Sequence, residues 1–224
     1  MNIAQGWRAA YPEAHAGLLI VRGAANPPQD AGLEKRKSEL EAELRARFSG
    51  SDRPALLQLP ELRAYDEYYR RFKKTYHIQL QLESIILKGK TIPSVAALVE
   101  AMFMAEMEDL LLTAGHDLDV LRLPLTLDVG SGTEAYTLMR GEAQTLKAGD
   151  MFIRDEEGVI SSVIYGPDRR TQIRPETKNA VFTAYAPPGI AGGAVKSHLE
   201  HILRNIKLFA PEAVAETMEV VGGK

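Results

Sequence analysis

Apolar positions recur at helical spacing through most of the first half of the chain. Near residue 120 the spacing changes to alternation broken by turns, and near residue 190 helical spacing returns. "AGLLIVRGA" (16–24) is a short apolar run ending at Gly23, which predicts a buried strand, and "NPPQD" behind it is a breaker. "AGLEKRKSELEAELRARFSG" predicts a helix with Leu33, Leu40 and Leu44 on one side and Gly50 at its end. "ELRAYDEYYRRFKKTYHI" (61–78) predicts a second helix. "TIPSVAALVEAMFMAEMEDLLLTAG" (91–115) carries the strongest helical pattern. There Pro93 suits a first turn and Thr91 or Ser94 a cap. Val95, Leu98, Val99, Met102, Phe103, Met107, Leu110 and Leu111 form the apolar face, and Gly115 is the stop. Residues 119–166 read as strands and hairpins, with "DVGSGTE" and "RDEEGV" as turns, and "NAVFTAYAPP" as a strand halted by two prolines. "GAVKSHLEHILRNIKLF" predicts an amphipathic helix, and Pro211 the start of a short final one. The fold class expected is α+β, a mixed or antiparallel sheet with packed helices.

The 224 residues suit one domain spanning 1–224: a helical part over about 1–90, a sheet-rich core over about 91–190 and C-terminal helices over about 191–220. With 45% hydrophobic and 25% charged residues the composition is that of a globular protein. A net charge of -3 argues against a basic coat over the whole surface but leaves room for a local basic patch, because binding responds to the field at the site. The chain has no cysteine, which excludes disulfides, a zinc ribbon and a thiol nucleophile and fits a reducing compartment. No stretch approaches the roughly 20 apolar residues of a membrane helix, and the first residues lack the basic start of a signal peptide. A cytoplasmic protein is expected, with no membrane partner and no assigned oligomeric state.

Four stretches carry candidate chemistry. "LDVGSGTE" (127–134) has the glycines of a methyltransferase cofactor loop, but that loop needs a helix behind it, and "TEAYTLMRGEAQTL" alternates and breaks at Gly141 like a hairpin. "HLEH" sets His198 and His201 at a spacing that can place two ligands on one helix face, without the second half of a metal site; a surface or partly packed pair is expected, and no metal. Arg70, Arg71, Lys73 and Lys74 alternate with Tyr68, Tyr69, Phe72 and Tyr76. Such a run can bind RNA by charge and stacking, or pack its rings and leave its cations in solvent. In "AGHDLD", His116 beside Asp117 and Asp119 suits an oriented base or a cap-and-turn cluster.

The stretch from about 92 to 188 resembles the tRNA-editing domain of the phenylalanyl-tRNA synthetase beta subunit, in particular its free-standing relatives. "PSVAALVEAMFMAEM" resembles the helix entering that domain, and "TAGHDLD" its glycine-and-aspartate turn. "LKAGDMFIRDEEGVISSVIYG" resembles its paired strands with an acidic turn, and "TQIRPETKNAVFTAY" its terminal signature. The resemblance implies a pocket between sheet and helix. It also implies hydrolysis, in trans, of the ester joining a wrong amino acid to tRNA, so the partner implied is the aminoacylated acceptor end of a tRNA. No cofactor is implied. On this view Arg169, Arg170 and Arg174 meet phosphates, and Thr171, Thr177 and Asn179 shape the pocket. His116 and Asp117 form its other wall, with Glu134 and Asp155 as further pocket residues. The candidates for catalysis are His116, Asp117 and Thr177, and a hydroxyl of the terminal ribose is a further candidate for placing the water. The alternative is a non-catalytic module of the same fold that binds a tRNA end, an amino acid or a protein.

Overall fold

The computed structural model describes residues 1–223. Three sheets carry the fold. The first is four-stranded and antiparallel. It joins β2 (His15–Arg22), β3 (Leu112–Asp117), β10 (Ala180–Ala186) and β11 (Val214–Gly222) in the order β11-β2-β10-β3. The second is five-stranded and mixed, built from β1 (Asn2–Ile3), β4 (Thr126–Val129), β7 (Met151–Arg154), β8 (Val159–Ser162) and β9 (Gly166–Pro167). Its order is β1-β4-β7-β8-β9, and only the β1–β4 pair is parallel. The third is the hairpin β5 (Ala135–Thr137) and β6 (Ala143–Thr145). The helices are α1 (Gln5–Ala10), α2 (Ala31–Arg47), α3 (Arg53–Leu56), α4 (Pro60–Arg70), α5 (His77–Lys88), α6 (Ala97–Asp109) and α7 (Gly192–Phe209). The α+β class expected from the sequence is the class observed.

The first sheet supplies the centre of the core. Strand β10 is buried along its whole length and β2 nearly so, as expected of strands covered on both faces. Helix α7 packs on β2, β10 and β11, and α6 packs on α7. From the other side Tyr65, on α4, donates its hydroxyl to the carbonyl of Tyr185 and accepts the N–H of Leu112 at 2.8 Å. The methyltransferase alternative ends here, because the residues after Gly132 form the β5–β6 hairpin.

Several expectations need correction. The helix expected over 61–78 is two elements, α4 ending at Arg70 and α5 starting at His77, with a non-helical link over 71–76. The strongest helical pattern covers two elements: α6 ends at Asp109, Leu110 takes a left-handed conformation (φ 60°), and β3 follows at once. Gly115 is therefore a strand residue, and "AGHD" is strand and not turn; a Cβ at Gly115 would lie 2.9 Å from Ile173 Cδ1. Neither Thr91 nor Ser94 caps α6: its N-cap is Ala96, the first-turn N–H of Leu98 is accepted by Asn26 Oδ1 at 3.0 Å, and Ser94 accepts a 2.7 Å bond from Lys37. Val95 lies outside the apolar face at 56% exposure. Finally, Pro211 leads into β11, so the C-terminal region holds one helix and one strand. In β11, Met218 and Val220 pack against the core, and the strand covers the open edge of β2.

Candidate functional site

Strand β9 and the segment behind it, 168–179, run beside the end of β3. The backbone is tied there by Asp117 N–H to Thr171 O (2.8 Å) and Leu118 N–H to Asn179 O (2.9 Å). Within the segment some side chains turn into the protein and others to solvent. Asp168, Thr171 and Thr177 are buried, Asn179 is half-buried, and Arg169, Arg174 and Lys178 are exposed.

Arg170 turns inward into an acidic cage. Its guanidinium lies 2.8 Å from Asp155, 3.3 Å from Glu157 and 3.7 Å from Asp168, and it also reaches the carbonyl of Val120. The side chain of Asp155 is fully buried. Burial alone would raise its pKa, but N–H groups of Arg122, Glu157 and Gly158 together with Arg170 outweigh that and hold it below the usual carboxylate value. Asp168 shifts the other way, upward, because its burial is not fully offset by Thr171 and Arg170.

Behind the cage a hydrogen-bond chain crosses into β3. Thr171 gives its hydroxyl proton to Asp168, so its oxygen accepts from His116 Nδ1, 2.8 Å away. That fixes His116 as the Nδ1–H tautomer and leaves Nε2, bare and fully buried, without a partner among the described residues. Burial lowers the His116 pKa to about 3, so the ring is neutral at physiological pH. Asp117 accepts from Thr177 Oγ1 (2.6 Å) and from the N–H of Asp119 (3.0 Å); Thr177 in turn accepts the N–H of Arg174 (2.9 Å). Asn179 bridges Asp119 and the N–H of Gly23. His116, Asp117, Thr171, Thr177, Asp155 and Arg170 thus lie close together, and each already has partners inside the protein.

Glu134 stands apart from this group. Its carboxylate accepts the N–H groups of Ser131 and Gly132. Those bonds outweigh partial burial and lower its pKa. The glycine loop therefore cradles a side chain of its own hairpin. The "HLEH" pair is more enclosed than expected. His198 is fully buried between Thr113 (2.5 Å) and Asp109 (2.9 Å), and His201 shares Asp109. Among the described residues no group of three or more histidine or acidic side chains is arranged to hold a metal ion.

Two cavities open next to the 165–170 segment. The smaller, about 210 Å³, is lined by Tyr136, Thr137, Glu157, Gly158, Val159, Asp168 and Arg170. The larger, about 380 Å³, is lined by Lys74, Leu138, Met139, Arg140, Ile164, Tyr165 and Pro167. Lys74 Nζ sits 5.8 Å from the centre of the Tyr165 ring, within reach of a cation–π contact. Arg169 reaches the β5–β6 turn, its guanidinium 3.1 Å from where a Cβ on Gly141 would stand. The aromatic-basic run resolves in favour of packing: Tyr68, Tyr69, Phe72 and Tyr76 are all buried, and Arg71 covers the rings of Tyr11, Tyr68 and Phe72. Lys74 is the member of that run that turns to the cavity. Its pairing with Tyr165 joins two segments that no local pattern connects.

No protein-family model matches the chain, and no curated protein matches its sequence. Among solved structures its fold is similar to an N-terminal fragment of the phenylalanyl-tRNA synthetase beta-subunit from Pyrococcus horikoshii, with a TM-score of 0.50 and 11% identity. The match covers 98% of this chain and 49% of that one, so this chain spans about half the length of the fragment. At that identity the likeness is one of fold. No helix among the described residues is long and apolar enough to cross a membrane.

Proposed function

We propose that this chain recognises the single-stranded, aminoacylated acceptor end of a tRNA. Tyr165 serves as the stacking surface for a base, and Lys74, Arg140 and Arg169 meet the phosphates on either side. The observation that carries the reading is the convergence of Lys74, Arg140 and Tyr165 on one open cavity, with Arg169 beside the neighbouring Gly141. A ring beside several cations is the arrangement that holds single-stranded nucleic acid, since every base offers a face to stack on. The synthetase-like fold accords with it. So does the state of the buried candidates: His116 is neutral, enclosed and bonded to Thr171, an arrangement suited to holding shape. A cytoplasmic setting goes with the reading, since that is where aminoacylated tRNA is used.

The test is fluorescence anisotropy with a labelled oligonucleotide ending in CCA. Tyr165→Ala is expected to weaken binding by about 1–3 kcal/mol. Lys74→Gln and Arg169→Gln are each expected to flatten the dependence of log affinity on log salt by about 0.7. If all three variants bind like the parent, this surface is not the contact.

A second reading is that the protein also hydrolyses the ester of mischarged tRNA in trans. The smaller cavity favours it, because the partly exposed Arg170 and the exposed Glu157 at its wall are charged groups that an aminoacyl group could reach. With His116 enclosed, the attacking water would be placed by a hydroxyl of the terminal ribose, its oxyanion held by protein donors. A panel of correctly and incorrectly charged tRNAs tests this, together with a terminal adenosine lacking either ribose hydroxyl. Loss of one mischarged class alone supports editing and names its amino acid. Unchanged rates with both deoxy substrates exclude ribose assistance.

A further inference from the structure

A cavity of about 380 Å³ that shares no lining residue with the Lys74–Tyr165 cavity lies between α5, the extended segment 89–96 and α6. Its apolar wall is made by Leu80, Ile85, Ile92, Pro93, Phe103 and Met107. Leu80 stays 43% exposed at the opening, while Ile85, Ile92 and Met107 are buried behind it. The wall is fixed from outside. Glu41 on α2 accepts the N–H of Ile92 at 2.7 Å, and Arg45 on α2 donates to the carbonyl of Lys90 at 3.0 Å. Gly89, in a left-handed conformation, ends α5 and turns the chain along the opening. A cavity held in this way is preformed, and its volume lies in the range of about 300–1,000 Å³ typical of small-ligand sites.

The polar rim carries a sign. Gln81, Ser84, Thr91, His77 and Lys90 complete the lining, and no acidic residue belongs to it. Lys90 makes no ion pair among the described residues, although the chain as a whole is acidic by -3. An apolar wall with an exposed lysine in its lining, unpaired among the described residues, is complementary to a molecule with a hydrocarbon body and one anionic end. We propose that this cavity binds an amphipathic monocarboxylate, its chain against Phe103, Met107 and Ile85 and its carboxylate at Lys90. This site is independent of the tRNA-end reading.

The experiment is a titration of the purified full chain with hexanoate, octanoate, decanoate and octanol, followed by NMR of labelled methionine methyl groups. The Met107 signal is assigned by its loss in Met107→Leu. Octanoate is expected to shift Met107 most among the methionines, and each added pair of methylenes to tighten binding by about fifteenfold while the chain still fits. Lys90→Gln is expected to weaken the carboxylates about tenfold and leave octanol unchanged. Leu80→Asp, at an exposed position where folding is not at stake, is expected to abolish binding. The proposal is overturned if no carboxylate binds at millimolar concentration, if Lys90→Gln weakens octanol and octanoate alike, or if Leu80→Asp binds as the parent does.

Discussion

Glu106 is expected to make the protein less stable as the solution becomes less acidic, and Glu106→Gln to remove that dependence. Its side chain lies on α6, 1% exposed, with Oε1 accepting the N–H of Thr113 at 2.8 Å. Burial pushes its pKa up to about 8, against an ordinary value of 4.5, with the Thr113 N–H offsetting only part of the shift. The folded pKa is therefore raised. Below the ordinary value both states hold the proton and nothing is lost. Above it the unfolded chain releases the proton while the folded chain keeps it, so stability falls until pH passes the folded pKa. Between about pH 5 and pH 7 the loss from this one group is about 2.5 kcal/mol. Glutamine keeps the acceptor for Thr113 and has no proton to lose. At about pH 7 it is expected to gain up to about 3 kcal/mol, less about 1–3 kcal/mol if its new amide hydrogens stay unpaired. Urea unfolding of parent and variant at several pH values measures the difference directly, because every other titrating group is shared. If the two stability profiles run parallel between about pH 5 and pH 7, Glu106 is ionised in the folded protein and the reasoning fails.

His116 acts in the opposite direction. Its folded pKa is lowered to about 3, so stability is lost as pH falls below the ordinary histidine value, by up to about 1.4 kcal/mol per pH unit, and His116→Asn is expected to flatten the acid limb of the urea profile. Arg170→Ala removes the guanidinium from buried Asp155, which keeps its three backbone donors; a loss of about 2 kcal/mol is expected in thermal or urea unfolding, below the range for an uncompensated buried charge. Arg169→Ala, one residue earlier, is expected to change stability by less than about 0.5 kcal/mol. Gly130→Ala would bring a Cβ within 2.8 Å of the Lys147 carbonyl oxygen and is expected to cost about 1–3 kcal/mol, read by the same melts.

Local pattern carried some of this architecture and missed the rest for identifiable reasons. Leu33, Leu40 and Leu44 stand on one face of α2 and are buried together, because helical spacing alone decides that face. The β5–β6 hairpin follows from alternation around Gly141, which adopts the positive φ that a turn requires. The boundary between α6 and β3 is illegible because "LLLTAG" (110–115) is apolar but for Thr113, and so nearly continuous an apolar run has no period to read. Glu100 and Glu106 are 1% exposed on that helix, and each is held by partners distant in sequence or across the turn: Lys37 for one, Thr113 for the other. The hydroxyl and carboxylate residues of "AGHDLD" and "TQIRPETKN" stand out in the sequence, but their bonds to one another depend on β3 pairing with β10. The union of Lys74 with Tyr165 was likewise beyond reach, since it depends on how α4 and the following turn sit against the second sheet.

Consecutive residues in the 168–171 stretch serve different ends, and the difference follows from side-chain direction. Asp168 and Thr171 turn inward and pass a hydrogen-bond chain to His116; Arg170 also turns inward and closes a cage around Asp155. Arg169 alone of the four faces solvent, at the turn beside the Lys74–Tyr165 cavity. Counting the arginines in this stretch as one basic patch therefore overstates the charge available to a ligand. Arg170 is already neutralised by two close carboxylates and a third nearby, and the free field comes from Arg169, Lys74 and Arg174. A buried network of this kind is costly to disturb, because removing one member leaves the others unpaired in a medium where unpaired polar groups are expensive. The inward residues thus hold the exposed segment in place, and the outward ones remain free to bind. The two sets should separate experimentally: inward substitutions lower stability first and binding only as a consequence, whereas Arg169 and Lys74 substitutions alter salt-dependent binding in a protein that melts like the parent.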